Sequence, residues 1–161
     1  MDLLQWLNGT PWGEFVFTML VSMVPVVELR GGLPFGVALG LPQWAALLAS
    51  ILGNIIPLPF IVVYIRRIFQ WMRRRIPKLD GLVDFLERKA HLKGRKVSKY
   101  KYLGLMIFVA IPLPGTGGWT GALAAAFLDM PLRKALPSIV AGVCIAGIIV
   151  FCITYGVTAM I

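Results

Sequence analysis

Few residues in this sequence could do chemistry inside an apolar environment, and two of them sit almost together. They are Glu28 and Arg30, in the run VPVVELRGGLPFG from Val24 to Gly36. A charge at the centre of a lipid bilayer costs roughly 2.5–3.5 kcal/mol on insertion scales, so an acid and a base there need a purpose. Three purposes are open. In the first the pair is structural, neutralising itself or tying down loose backbone amides. Alternatively, Arg30 and the amides around Gly31, Gly32, Gly115, Thr116, Gly117 and Gly118 hold an anionic head group. Glycine admits close backbone approach, half-helix N-termini favour negative charge, and a guanidinium fork fits phosphate. In the third reading Glu28, more readily protonated in a low dielectric, carries a proton whose arrival frees Arg30 for the ligand. The last two are compatible and together describe a proton-coupled carrier of an anionic amphiphile. Asn54, Trp119 and Thr120 join Thr116 as further candidates to line a central cavity.

Other chemistries find little support. Cys144 and Cys152 lie eight residues apart with no His or acidic companion, so neither a zinc pair nor a disulfide is expected. The apolar portion offers no Ser/His/Asp set and no metal cluster, so no cofactor is expected and an enzyme is the least favoured class.

The elements that must position Glu28 and Arg30 are membrane elements. The chain is 58% hydrophobic with a mean hydropathy of +0.82, beyond the apolar share of about one half typical of soluble domains. Its net charge of +9 would suggest nucleic acid, but all the cations except Arg30, Arg133 and Lys134 lie between Arg66 and Lys101. A basic block between two apolar halves is what the positive-inside rule gives a cytoplasmic loop, so no nucleic-acid partner is expected. The N-terminal MDLLQWLNGTPWGE lacks a positive n-region and a cleavage site, and does not read as a signal peptide.

A spanning helix needs about 20 apolar residues, and residues 44–65 and 136–161 supply them. Residues 15–27 and 102–111 fall short. Each of these is followed by a glycine-rich break and a second short apolar piece, which predicts a re-entrant hairpin whose loose backbone faces protein or a wet cavity. An ordinary kinked helix over residues 15–41, or a tight pair of spans, is the plainer alternative. Pro25, Gly31–Gly32, Gly36, Pro42 and Gly53 line up with Pro112, Gly117–Gly118, Gly121, Pro131 and Gly142, with small gaps.

The expected fold is therefore an all-α integral membrane protein of two inverted repeats. The first covers residues 1–65, with a hairpin at about 14–41 and a span at about 43–65. The second covers 102–161, with a hairpin at about 102–129 and a span at about 132–160. Residues 66–101 form a basic cytoplasmic segment, with an amphipathic helix between Pro77 and Gly94 lying on the membrane surface. Both termini are expected outside, because they carry no cation. Inverted repeats with broken helices are the plan of many secondary transporters.

The runs ELRGGLPFG and IPLPGTGGWTGALAAAFL resemble the signatures of the small multidrug export protein family, itself related to the DedA (SNARE-associated, VTT) membrane proteins. The resemblance covers most of the chain. It implies the hairpin-plus-helix architecture, a prokaryotic cell (inner) membrane and a transport role. DedA-like proteins are associated with proton-dependent translocation of undecaprenyl phosphate, and eukaryotic relatives scramble lipids. Glu28 matches the acidic position of the first DedA hairpin. The second DedA hairpin carries arginines, and PLPGTGGWTG has none, leaving Arg30 on the opposite repeat.

The expected function is a transporter or flippase, a homodimer, moving a polyprenyl phosphate or similar membrane lipid with protons. Its rivals are an exporter of lipophilic cations using Glu28 as counter-charge, an ion channel presenting GTGGWTG carbonyls, and a structural membrane protein.

Overall fold

The structure, a computed structural model, describes residues 10–75, 100–113 and 115–156, all of whose regular elements are α-helices. The amphipathic helix expected between Pro77 and Gly94 lies outside those residues, as does the end of the chain from 157. Helix α1, Pro11–Ser22, opens on a Thr10 cap that accepts the Gly13 N–H at 3.1 Å, with proline at the first position where no amide is needed. A turn around Pro25 ends it. Helix α2, Glu28–Ala38, starts at Glu28 with a left-handed φ of 48°, and the chain turns after it at Gly40, φ 111°.

Helices α3, Gln43–Ile55, and α4, Leu58–Arg75, are one apolar rod broken at Pro57. Proline removes an amide from the helical ladder and its ring crowds the preceding turn. Its apolar stretch, Gln43–Ile65, is 23 residues long, and α4 then runs on through Arg75 into the basic segment. After the middle segment come α5, Lys101–Ala110; a loop around Thr116; α6, Gly118–Phe127; and α7, Leu132–Tyr155. By length and composition Gln43–Ile65 and Leu132–Tyr155 can each cross a bilayer. Among the described residues every regular element is helical, and α1, α2, α5 and α6 are too short to cross a bilayer alone.

Glycine sets the packing. A Cβ at Gly36 would meet Thr18 and Ala46, and one at Gly32 would meet Ser22 and Ser50. That register makes α2 antiparallel to both α1 and α3. In the later half α6 sits likewise against α5 and α7, with Gly121 on Val109 and Ile139. The two long stretches repeat one contact, Gly53 of α3 lying on the Met19 carbonyl and Gly142 of α7 on the Met106 carbonyl. The apolar core joins α4, α5, α6 and α7 through Leu58, Val62, Val109, Ala122, Ile139 and Val143. A smaller cluster around Leu33, Leu41 and Ala46 binds α2 and α3 to the end of α7 at Phe151.

No methyl group fits between a helix glycine and a neighbouring carbonyl. Gly53→Ala and Gly142→Ala should therefore each cost about 1–3 kcal/mol by overpacking. Gly104→Ala, with nothing within 4 Å, should stabilise by up to about 1 kcal/mol through helix propensity. Thermal unfolding in detergent checks all three, and a harmless Gly53→Ala would contradict the packing.

Candidate functional site

The breaks after α1 and after α5 come together, and the two charges of the first grip the backbone of the second. Arg30 reaches across with both guanidinium nitrogens. Nη1 donates to the Leu113 carbonyl, and Nη2 to the Thr116 carbonyl, to Thr116 Oγ1 at 3.1 Å and, more loosely, to the Ile111 carbonyl at 3.4 Å. These carbonyls belong to the end of α5 and the turn beyond it, where the helical ladder has no amides left to offer them. Thr116 gathers the turn from inside: its hydroxyl donates to the Ile111 carbonyl at 2.6 Å and accepts the Leu113 N–H at 3.2 Å. A forked cation thus reinforces the bonds the turn makes for itself, from the Leu113 amide to the Ile111 carbonyl and from the Thr116 amide to the Leu113 carbonyl.

Glu28 takes the other side of the same break. It is 7% exposed, and its Oε1 accepts the backbone N–H of Trp119 at 3.2 Å, in the first turn of α6. Free amides and the helix dipole make that terminus a site for an anion. Gly117 is where a side chain would be fatal, because a Cβ there would overlap the Glu28 carboxylate. The sequence left open whether Glu28 and Arg30 neutralise each other or tie down loose backbone; their side chains hydrogen-bond backbone and hydroxyl groups 81 to 91 residues away.

The other candidates distribute around this brace. Gly115, with φ 82° and nothing near its Cβ position, lets the turn reverse. Gly118 begins α6 against Asn54 and Leu58, and the Thr120 hydroxyl donates to the Gly117 carbonyl at 3.2 Å. Gly31 lies on α2 against Val27, and Gly32 packs between Ser22 and Ser50. Asn54 is fully buried, and neither its Oδ1 nor its Nδ2 has a hydrogen-bond partner; the Trp119 indole N–H is likewise unpartnered. Thr18, Ser22 and Ser50, also fully buried, were not picked out in the sequence. Their signal was there, as polar residues four apart within apolar runs: Thr18 with Ser22, and Ser50 with Asn54.

Among the described residues no group of three or more His, Cys, Asp or Glu could hold a metal ion, and Cys144 and Cys152 are free.

A family model described as "Putative small multi-drug export protein" matches residues 28–149, a stretch that opens on Glu28 and includes the turn that Arg30 holds. The chain belongs to this family. The family's description is of an export protein, and membership agrees with the two apolar stretches in placing this chain in a membrane. The chain matches none of the curated proteins and none of the solved structures.

Proposed function

We propose that this protein is a proton-coupled exporter or flippase of an anionic amphiphile, with the Glu28–Arg30 brace as its gate. The observation that carries the reading is that Arg30 spends its charge on neutral carbonyls. A phosphate or carboxylate makes hydrogen bonds roughly twice as strong, so an anionic head group would displace the carbonyls and loosen the turn after α5. Protonating Glu28 would weaken its hold on the start of α6 from the other side. Cargo and proton then act on one joint. Under this reading Arg30, Asn54, Thr116, Trp119, Thr120 and the glycines of both breaks line the path, and a polyprenyl phosphate is the model cargo.

The architecture proposed to go with it is an inverted repeat. The α1–α2 hairpin enters from outside and the α5–α6 hairpin from inside, their tips meeting at the brace. Two features favour this: the sequence of two short helices followed by a long apolar stretch occurs twice, and so does the glycine-on-carbonyl contact. The basic segment 66–101 then lies in the cytoplasm, both termini lie outside the inner membrane, and a homodimer supplies more wall for the path. The alternative cargo, a lipophilic cation, is favoured by the family description and by a buried carboxylate, although Arg30 would repel it.

Proteoliposomes separate these readings. Movement of a labelled polyprenyl phosphate between leaflets should depend on a pH gradient in the wild type and fall at least about tenfold in Glu28→Gln. Gradient-driven ethidium movement with no lipid movement would instead select the cation exporter. Steady currents in planar bilayers would select a channel, and well-folded but silent hairpin mutants a structural protein.

A further inference from the structure

Beside the brace, a line of polar side chains runs through the first three helices. On α1, Glu14, Thr18 and Ser22 stand one turn apart and face, in order, Gly40, Gly36 and Gly32 near and along α2. The hydroxyls of Thr18 and Ser22 donate backwards, to the carbonyls of Glu14 at 2.7 Å and Thr18 at 2.8 Å. Their lone pairs are left toward the seam. From α3, Ser50 meets Gly32 beside Ser22, and the antiparallel register then sets Asn54 level with Glu28. Both also reach the start of α6, with Asn54 Oδ1 against Gly118 and the Glu28 carboxylate against Gly117.

Ser50 and Asn54 are both completely buried, and Ser50 Oγ, Asn54 Oδ1 and Asn54 Nδ2 have no partner. Buried polar atoms are satisfied in nearly every protein, so three together mark a place for something else. The chemistry says what. A carboxamide orphaned at both ends needs a neighbour that accepts from its NH2 and donates to its oxygen, whichever way the group is turned. A bare cation serves only the oxygen, and an anion only the NH2; water serves both.

We infer that Ser50 and Asn54 hold buried water that forms a short proton track to Glu28 where α2, α3 and α6 meet. The track deepens the proposed function and rests on Glu28 being its proton carrier. Each water gains one O–H bond as it gives up another, and the last proton forms the O–H bond of a Glu28 carboxyl. The charged group facing that carboxylate is Arg30 on its own helix. From α6 it meets a backbone N–H, and the neutral Asn54 of α3 lies against Gly118, next in sequence to the Gly117 that the carboxylate touches.

The test is infrared spectroscopy of the protein reconstituted in lipid, following the Glu28 carboxyl band after a pH step, with Glu28→Gln identifying the band. Asn54→Leu should slow the band's response at least about tenfold while leaving its final amplitude. Asn54→Ser, which keeps a hydroxyl for water, should restore most of the rate, and Ser50→Ala should slow it in the same direction. Wild-type rates in both Asn54→Leu and Ser50→Ala would overturn the track while leaving Glu28 as carrier. If no titrating band disappears in Glu28→Gln, the carrier reading falls and the track with it. Should Asn54→Leu not fold, Ser50→Ala alone decides.

Discussion

Arg30→Ala should abolish transport and destabilise the protein by about 1–3 kcal/mol. The substitution removes the guanidinium from the carbonyls of Leu113, Thr116 and Ile111; turn amides still serve Ile111 and Leu113, so the loss falls mainly on the Thr116 carbonyl, and an unsatisfied polar group costs about 1–3 kcal/mol. Thr116 can keep its internal bonds to the turn, so the loop should loosen without α5 and α6 melting. Arg30→Lys is the sharper comparison. It restores the charge but offers one nitrogen where the turn uses two, so it should recover part of the stability and little of the transport. Thermal unfolding with a leaflet-movement assay reads both. Full stability in Arg30→Ala would mean that the guanidinium holds nothing.

Gly117→Ala should be nearly as damaging, by a different route. Its methyl group occupies the place of the Glu28 carboxylate, so Glu28 must swing off the Trp119 amide and lose a hydrogen bond to a charged group, worth about 1.5–3 kcal/mol. The damage should then be shared with Glu28→Ala, which removes the same bond. In a double-mutant cycle the two losses should overlap by about 1 kcal/mol or more instead of adding. Strict additivity would show that the residues do not meet.

The outline of the molecule was legible in the sequence because length and hydropathy carry it. The two apolar stretches and the spacing that repeats from Pro42–Gly53 to Pro131–Gly142 have chemical signatures. The polar couplings did not. Glu28 and Arg30 advertise a need for partners, but the partners are an amide and carbonyls, and every residue of a chain offers those. No residue type at positions 111–119 announces that its backbone is wanted. Ser50 has a weaker signature: one hydroxyl in an apolar helix, whose four-residue spacing to Asn54 marks a shared face without saying what that face meets. The continuation of α4 through Arg75 was hidden because charge ends a hydrophobic run without ending a helix.

The separation between the charges and their partners also sets a schedule for biosynthesis. The turn that Arg30 grips is made 81 to 86 residues after Arg30 itself, and the amide that Glu28 binds 91 residues after Glu28. At a ribosomal pace of about 5–20 residues per second, the first hairpin waits several seconds with an acid and a base unmatched. Until the later half arrives, it should rest at the bilayer edge or inside the insertion machinery, and a nascent chain stalled short of residue 111 should be open to membrane quality-control proteases.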